Sequence, residues 1–288
     1  MAIHISSVID NRMSARDALF AAARIDLAAL RDFVNPVVGL DHFRMSGPTF
    51  APHPHAGFSA VSYIFEDSAG AMRNRDSLGH DFIAGPGDII WTQAASGVIH
   101  DEFPAANGGE VHGIQLFVNL TSANKALKPE VFLLKRDDVP VVGDGTDNRI
   151  RVVVGEHAGN RSPLVPAEPF LLLDGEWRAP ADLALNADWN TILYVLEGEL
   201  RLEAQGKAIQ LSTGQTLGIR SDEAGSVRLK PSAATHMLVL AGPANHEPMV
   251  AYGPFIMNSA AEIAEAVARF SAGKMGRLKP MRTGQRDD

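Results

Sequence analysis

The stretch His53-Pro54-His55-Ala56-Gly57-Phe58 places two histidines at alternating positions, and His100-Asp101-Glu102 repeats that spacing further along the chain. Residues i and i+2 of a β-strand project from the same face of a sheet. If both segments are strands, each pair can point into one cavity. Three imidazoles and one carboxylate suit a divalent transition metal. The sequence therefore predicts one metal site, with the ligands His53, His55, His100 and Glu102.

A His-x-His pair by itself is more often a pair of surface or loop histidines. Two observations favour a site here. The second pair follows the turn Gly85-Pro86-Gly87-Asp88 and the apolar run Ile89-Ile90-Trp91-Thr92. In addition, three of the 10 histidines fall within these two short segments.

Composition sets broad limits on the class of protein. The chain has 288 residues, 45% of them hydrophobic and 21% charged, which is typical of one large or two ordinary globular domains. A net charge of −8 argues against a broad nucleic-acid footprint. The absence of cysteine excludes disulfides, thiolate catalysis and cysteine-ligated metals. With no long apolar segment and no secretory leader evident, we expect a cytoplasmic protein with no membrane or direct nucleic-acid contact.

Short apolar runs separated by glycine and proline predict a sandwich or barrel in each half of the chain. In the first half the predicted strands are Val61–Phe65, Asp88–Trp91 and Ile114–Val118. A loop region, Asp137–Asn148, marks the passage to the second half. There the predicted strands begin at Leu171 and include Ile192–Val195, Glu199–Ala204, Leu217–Arg220, Val227–Leu229 and Met237–Leu240.

Helices are predicted at both ends of the chain. The segment from Ser14 to about Phe33 is rich in alanine and leucine, and its first four residues, ending at Asp17, resemble a capping box. We read it as one helix or two short ones. Near the C-terminus, Ser259-Ala260-Ala261-Glu262 is a capping box, and Ile263, Val267 and Phe270 follow on one helical face.

A weak internal duplication indicates a single metal site. Tyr63-Ile64-Phe65-Glu66 resembles Tyr194-Val195-Leu196-Glu197. At the offsets of the three histidines, the second half carries Ala184, Asn186 and Val227. The second half is therefore expected to keep the barrel without the ligands.

Several ordered motifs resemble those of the pirin family, a branch of the cupin superfamily. The first histidine pair resembles its HPHxGF motif. The other matching stretches, in chain order, are Arg75–Gly79, Gly85–Asp88, Ser96–Glu102, His112–Leu120, Glu247–Val250 and Gly253–Asn258. The resemblance runs from about Val37 to about Gly276.

The resemblance implies an all-β bicupin, with two jelly-roll barrels packed face to face. On this basis we expect an N-terminal helical segment over residues 1–36. An N-terminal cupin domain with the metal site would span 37–136. A C-terminal cupin domain without ligands, together with the C-terminal helix, would span 149–288. The resemblance also assigns the metal ligands to His53, His55, His100 and Glu102, and Fe(II) or another divalent transition metal as the cofactor.

Two functions are compatible with the resemblance. The first is a quercetin 2,3-dioxygenase-type enzyme, in which Glu102 takes a proton from a flavonol-like or other small enolic substrate. The alternative is a non-catalytic, metal- or redox-sensitive module that binds a transcription factor or a metabolic enzyme. Turnover of a flavonol would distinguish the two.

Two positions depart from the family pattern, and both are expected near the cavity. Ser59 replaces the acidic residue that usually follows HPHxGF, and Asn74 replaces a usual histidine. They put the identity of the substrate in question. The candidates for apolar cavity walls are Phe58, Phe65, Phe82, Trp91, Phe103 and Phe117, for which ordinary barrel core is the competing interpretation.

Overall fold

Antiparallel strands make up most of the structure, a computed structural model that describes residues 2–105 and 109–279. The strands of the first half are β1 Ile3–Ile5, β2 Ile9–Asp10, β3 Ser14–Ala15, β4 Phe20–Arg24, β5 Val37–Met45, β6 His53–His55, β7 Phe58–Ile64, β8 Met72–Asp76, β9 Asp81–Ala84, β10 Ile89–Gln93, β11 Val98–Pro104, β12 Val111–Asn119 and β13 Glu130–Leu134. Those of the second half are β14 Val141–Val142, β15 Asn148–Val154, β16 Glu156–His157, β17 Asn160–Arg161, β18 Leu171–Trp177, β19 Ala181–Leu185, β20 Trp189–Glu197, β21 Glu199–Ala204, β22 Lys207–Ser212, β23 Gln215–Ser221, β24 Gly225–Pro231, β25 Thr235–Pro243, β26 Val250–Tyr252 and β27 Phe255–Met257.

Helices are few and short. They are α1 Leu27–Leu30, α2 Ser122–Lys125 and α3 Ala260–Ser271, with 3₁₀ turns at Arg31–Phe33 and Arg136–Asp138. The expected all-β class is confirmed. No helix in the described part of the chain combines the length and apolar character needed to cross a bilayer.

The chain divides into two compact units, named here for the half of the chain that supplies most of each. The N-terminal unit consists of Met13–Arg24, Gly39–Arg136 and the chain from His246 onward. The C-terminal unit consists of the chain up to Arg12 with Ile25–Val38 and Asp137–Asn245.

The N-terminal unit contains a seven-stranded sheet in the order β13-β10-β7-β12-β5-β4-β3 and a four-stranded sheet in the order β6-β11-β8-β9. The three strands predicted for this half overlap β7, β10 and β12, and Phe65 and Asp88 at their ends lie just outside β7 and β10. All residues of β7 and β10 are buried, including the polar Ser59 and Ser62 of β7 and the polar Thr92 and Gln93 of β10.

The C-terminal unit repeats this plan with an apolar interior. Its large sheet contains β20, β23, β25 and β18, and its smaller sheet has the order β19-β24-β21-β22. The predicted strands of this half are confirmed. Leucine and valine side chains from both sheets fill the space between them, including Leu183, Leu185, Leu193, Leu202, Val227 and Leu229.

The predicted alignment of the two halves of the chain, which matched Ala184 and Asn186 with His53 and His55, is one residue out of register at β19. Leu183 and Leu185 are buried in the core, whereas the predicted counterparts Ala184 and Asn186 are exposed. Since side chains alternate across a strand, a slip of one residue exchanges the two faces. Val227 lies in the core as expected.

The predicted N-terminal helix is wrong over residues 14–24. This segment forms the hairpin β3–β4, and β4 pairs with β5 so that Phe20 lies opposite Met45 and Arg24 lies opposite Asp41. Only Leu27–Leu30 and the 3₁₀ turn after it are helical. Pairing with an available sheet edge therefore overrides the helix propensity of the alanines.

The predicted C-terminal helix is confirmed as α3. The Ser259 hydroxyl accepts from the Glu262 backbone N–H, and the Glu262 carboxylate accepts from the Ser259 N–H, which completes the capping box. Buried Ile263 and Ala266 join a cluster with residues next to the first histidine pair, among them Ala56 and Ile99.

The compact units depart from the predicted consecutive domains at both ends of the chain. Strand β1 pairs with β23 and so belongs to the C-terminal unit. Ala56 and Phe255 form a parallel bridge, which includes the C-terminal segment in the N-terminal unit. Residues 280–288 of the predicted second domain lie outside the described residues.

Gly57 and Gly79 provide a matched test of the packing around the HPHxGF stretch. Both have positive φ, +86° and +100°. A Cβ on Gly57 would lie 1.8 Å from the Ile256 carbonyl oxygen, whereas one on Gly79 would meet nothing within 4 Å. Gly79→Ala is expected to lower the free energy of unfolding by about 1–2 kcal/mol, the cost of a left-handed non-glycine residue. Gly57→Ala should cost about 1–3 kcal/mol more through overpacking, as measured by denaturant unfolding. Equal losses would contradict the close approach.

Candidate metal centre

Three of the four predicted ligands meet on two paired strands. His53 and His55 lie on β6 and His100 lies on β11, with His53 directly opposite His100 in the antiparallel register. The ring centroid of His100 is 4.8 Å from that of each other histidine, and one nitrogen from each ring lies within 4.8 Å of the other two. His53, His55 and His100 therefore meet at one place, as their alternation along the two strands predicts. No second group of three such donors occurs among the residues that the structure describes.

Two of the three imidazoles, His55 and His100, are held in the protonation state that a metal ligand needs. Burial, with the neighbouring His53, lowers the pKa of His55 to about 3. Burial and the other two histidines lower the pKa of His100 well below its usual value. Near neutral pH these two rings are therefore uncharged and can donate a lone pair. The Nδ1 of His53 lies 2.9 Å from the Ala51 carbonyl oxygen, so an Nδ1–H donates there and leaves Nε2 available. The donor set fits a divalent transition metal.

Glu102 lies beside the histidines without joining their group. It follows His100 by two residues on β11 and lines the same cavity. Its two carboxylate oxygens each lie 2.8 Å from the Ser62 hydroxyl. Burial raises the pKa of Glu102 to about 7, and the nearby Asp101 acts in the same direction, while the Ser62 hydrogen bond opposes them. The ligand role of Glu102 remains a prediction.

Ser62 and Gln115 form a polar contact that the sequence analysis did not identify. They lie opposite each other on β7 and β12, and the Ser62 Oγ is 3.0 Å from the Gln115 Oε1. The Gln115 Nε2 donates to the Val61 carbonyl, which turns Oε1 toward Ser62. One hydroxyl proton cannot serve two acceptors, so a neutral Glu102 that donates to Ser62 satisfies all three groups. The available sequence signal was one polar residue near the middle of each of two strands that are mostly apolar.

A cavity of about 470 Å³ opens onto the three histidines and Glu102. Of the six aromatic residues predicted as walls, only Phe117 lines it. Phe58 and Trp91 are instead fully buried core residues. The other large apolar walls are Phe20, Phe43, Met45, Phe50 and Met72. Phe43 and Met45 belong to β5, and Phe20 belongs to β4, which the sequence assigned to a helix.

Neither residue that departs from the family pattern lines this cavity. Asn74 is fully buried on β8 and lies directly opposite Glu102 in the strand register. Its amide atoms have no hydrogen-bond partner among the described residues. Ser59 is buried on β7, opposite Gln93. The expected proximity to the centre therefore holds for Asn74, through its cross-strand neighbour.

Comparison with known proteins gives consistent matches over both units. The family model described as "Pirin" matches residues 24–118, and the model described as "Pirin C-terminal cupin domain" matches residues 172–276. A pirin-like protein from Solanum lycopersicum is 32% identical over 249 residues, covering 84% of this chain and 82% of that protein. Human pirin is 30% identical over 247 residues, covering 84% of this chain and 83% of that protein.

A solved structure of similar extent is quercetin 2,3-dioxygenase from Acinetobacter baumannii. It superposes with a TM-score of 0.83 at 28% sequence identity. The match covers 96% of this chain and 99% of that one.

The raised pKa of Glu102 predicts a pH-dependent stability in metal-free protein. Its folded-state pKa of about 7 lies above the ordinary value of 4.5, so the folded state binds this proton more tightly. Stability from this group is therefore full below pH 4.5 and is lost as the pH rises through 7. Between pH 4 and 8, the difference in unfolding free energy between wild type and Glu102→Gln should shift by about 3 kcal/mol against wild type.

Denaturant unfolding in the presence of a chelator measures this difference. Glu265→Gln removes an exposed carboxylate of α3 and serves as the control. A difference for Glu102→Gln that stays constant across this pH range would show that Glu102 is ionised in the folded metal-free protein.

Proposed function

The chain belongs to the pirin family of two-domain cupins, and from this premise we propose that it is a metal-dependent dioxygenase acting on a small enolic substrate of the flavonol type. The observation that carries the proposal is the cluster of His53, His55 and His100 in an apolar cavity, beside a carboxyl group with a pKa of about 7. We propose Fe(II) as the metal, held by these histidines and Glu102. The similarity to a quercetin 2,3-dioxygenase supports this reaction class.

The three histidines are prepared for metal binding by their charge state or their orientation. A divalent metal held by His53, His55, His100 and Glu102 would supply a Lewis acid. Burial keeps His55 and His100 uncharged, so metal does not have to displace protons from them near neutral pH. The Ala51 carbonyl orients the His53 ring. The site is therefore arranged before any metal arrives.

Glu102 is the proposed general base. A base works best when its pKa lies near the working pH, and in the metal-free protein burial brings the pKa of Glu102 to about 7. It can then take the proton of an enolic hydroxyl, and the Ser62 hydroxyl can donate to the carboxylate whenever it is ionised. The Ser62 contact thus fixes the direction in which Glu102 faces.

The walls of the cavity suit a flat, largely apolar substrate. Phe117 and Phe43 lie on two different strands and both face the cavity that holds the histidines. A volume of about 470 Å³ falls within the range of small-molecule sites. Packing an aromatic substrate against these rings excludes water from the proton-transfer step.

Docking on another protein is the second candidate function, favoured by one surface feature. Large apolar side chains are exposed in and directly before the hairpin β26–β27: Tyr252 of β26 is 65% exposed, and Met249, which precedes β26, is 48% exposed. Single exposed apolar residues are normal, whereas neighbouring ones mark interaction surfaces. In this alternative the metal stabilises the unit and no substrate is turned over.

Oxygen uptake tests the proposed function. Iron-loaded wild type supplied with a flavonol is expected to consume O₂ steadily. Glu102→Gln should lower kcat per bound iron by about 10²- to 10⁴-fold, as expected for loss of a general base. Iron content is measured on the same samples, which separates loss of the base from loss of a ligand. Glu265→Gln is the control and should match wild type.

If folded, iron-loaded wild type consumes no O₂ with any flavonol, the dioxygenase proposal fails. Redox-dependent binding to another protein would then support the docking function.

A further inference from the structure

The hairpin β3–β4 forms one side of the cavity and supplies charged residues to it. Its lining residues are Ser14, Arg16, Phe20, Ala22 and Arg24. Ser14 and Arg16 are exposed, so this side is the open end of the cavity. The part of the cavity wall formed by the three histidines and Glu102 is, in contrast, buried or half-buried.

The charge of Arg24 is compensated by a neighbouring carboxylate, whereas the charge of Arg16 is not. The Arg24 guanidinium donates twice to the Asp41 carboxylate, at 3.1 and 3.3 Å, and these contacts raise its pKa. Among the described residues, Arg16 has no carboxylate within ion-pair distance. Its guanidinium carbon instead lies 5.4 Å from the ring centroid of Phe50. Arg16 is therefore the uncompensated cation at the cavity mouth.

The backbone of the hairpin holds Arg16 at this place. The Arg16 N–H donates to the Phe20 carbonyl at 2.9 Å. The Asp17 carboxylate accepts the backbone N–H groups of Leu19 and Phe20, at 2.8 and 2.9 Å. Asp17 is thus occupied in closing the turn, and Arg16 is presented from an ordered backbone.

Aromatic rings connect Arg16 with the metal centre. Phe50 makes an edge-to-face contact with Phe20 at 5.3 Å, and its ring centroid is 6.4 Å from that of His53. Together with the 5.4 Å step from Arg16 to Phe50, this places the guanidinium within about 12 Å of the His53 ring. A substrate of two or three fused or linked rings can span that distance.

We infer that the cavity selects an enolic substrate that carries a second, anionic group at its far end, and that Arg16 binds this group. The inference rests on the proposed function and names the substrate class of that site. The enolic oxygen lies toward the histidines, the apolar body lies along Phe20 and Phe50, and a carboxylate or sulfate meets Arg16. A guanidinium presents paired donors that match such oxyanions.

The test compares two probes that differ in one group, 3-hydroxyflavone and 3-hydroxyflavone bearing a 4′-carboxylate. Dissociation constants are measured by flavonol fluorescence in the metal-free and the iron-loaded protein, and oxygen uptake is followed in the latter. Wild type should bind the carboxylate probe about two- to fivefold more tightly than the neutral one, the size expected for one solvent-exposed ion pair. This ratio should fall as salt is added.

Variants assign the preference to Arg16. In Arg16→Gln the ratio of the two dissociation constants should approach one, and in Arg16→Lys part of the preference should return. Arg12→Gln removes an exposed charge outside the cavity wall and should keep the wild-type ratio. A ratio near one in wild type, an unchanged ratio in Arg16→Gln, or binding of neither probe would overturn the inference.

The outcomes also separate this inference from the proposed function. If the carboxylate probe binds more tightly in a way that depends on Arg16, but no oxygen is consumed, the anion site is supported and the dioxygenase proposal fails. If oxygen is consumed but the two probes bind equally tightly, the dioxygenase proposal is supported and the anion site at Arg16 is ruled out.

Discussion

The pairing of β6 with β11 is the constraint on which the site depends. His53 lies opposite His100, and the two-residue period of β6 brings His55 to the same face. A shift of one residue in either strand would move its histidines to the other face. The buried surroundings then keep the pKa values of His55 and His100 low, so the cluster can form without repulsion between charged rings. Strand register brings together three imidazole donors that are distant in sequence, and burial keeps two of them, His55 and His100, uncharged.

The same burial acts in the opposite direction on Glu102. Removal from water disfavours charge, so it lowers the pKa of the histidines and raises that of the carboxyl group. One environment thus provides neutral metal ligands and a proton acceptor near neutral pH. The C-terminal unit shows the contrast, because leucine and valine side chains fill its interior where the N-terminal unit has a cavity.

The sequence predicted the strands and the histidine cluster because both follow from local periodicity. Alternation depends on the strand alone, so β6 and β11 could be read without knowing their partners. The hairpin β3–β4 could not, because Phe20 and Ala22 form a strand only through pairing with β5. Asp17 shows the same limit: its carboxylate closes a turn, although its spacing from Ser14 resembles a capping box. The cavity walls and the Ser62–Gln115 contact depend on this tertiary pairing, which explains why the aromatic prediction placed only Phe117 correctly.

The claim that His53, His55 and His100 hold a metal is tested most directly by metal content. Protein purified without a metal-chelating tag, analysed by mass spectrometry, should contain or take up about one equivalent of a divalent transition metal. The double variant His53→Ala, His55→Ala should lose it, while His246→Ala, which removes an exposed histidine, should retain it. If folded wild type does not bind added Fe(II), or if the double variant keeps its metal, the claim that these three histidines hold a metal is contradicted.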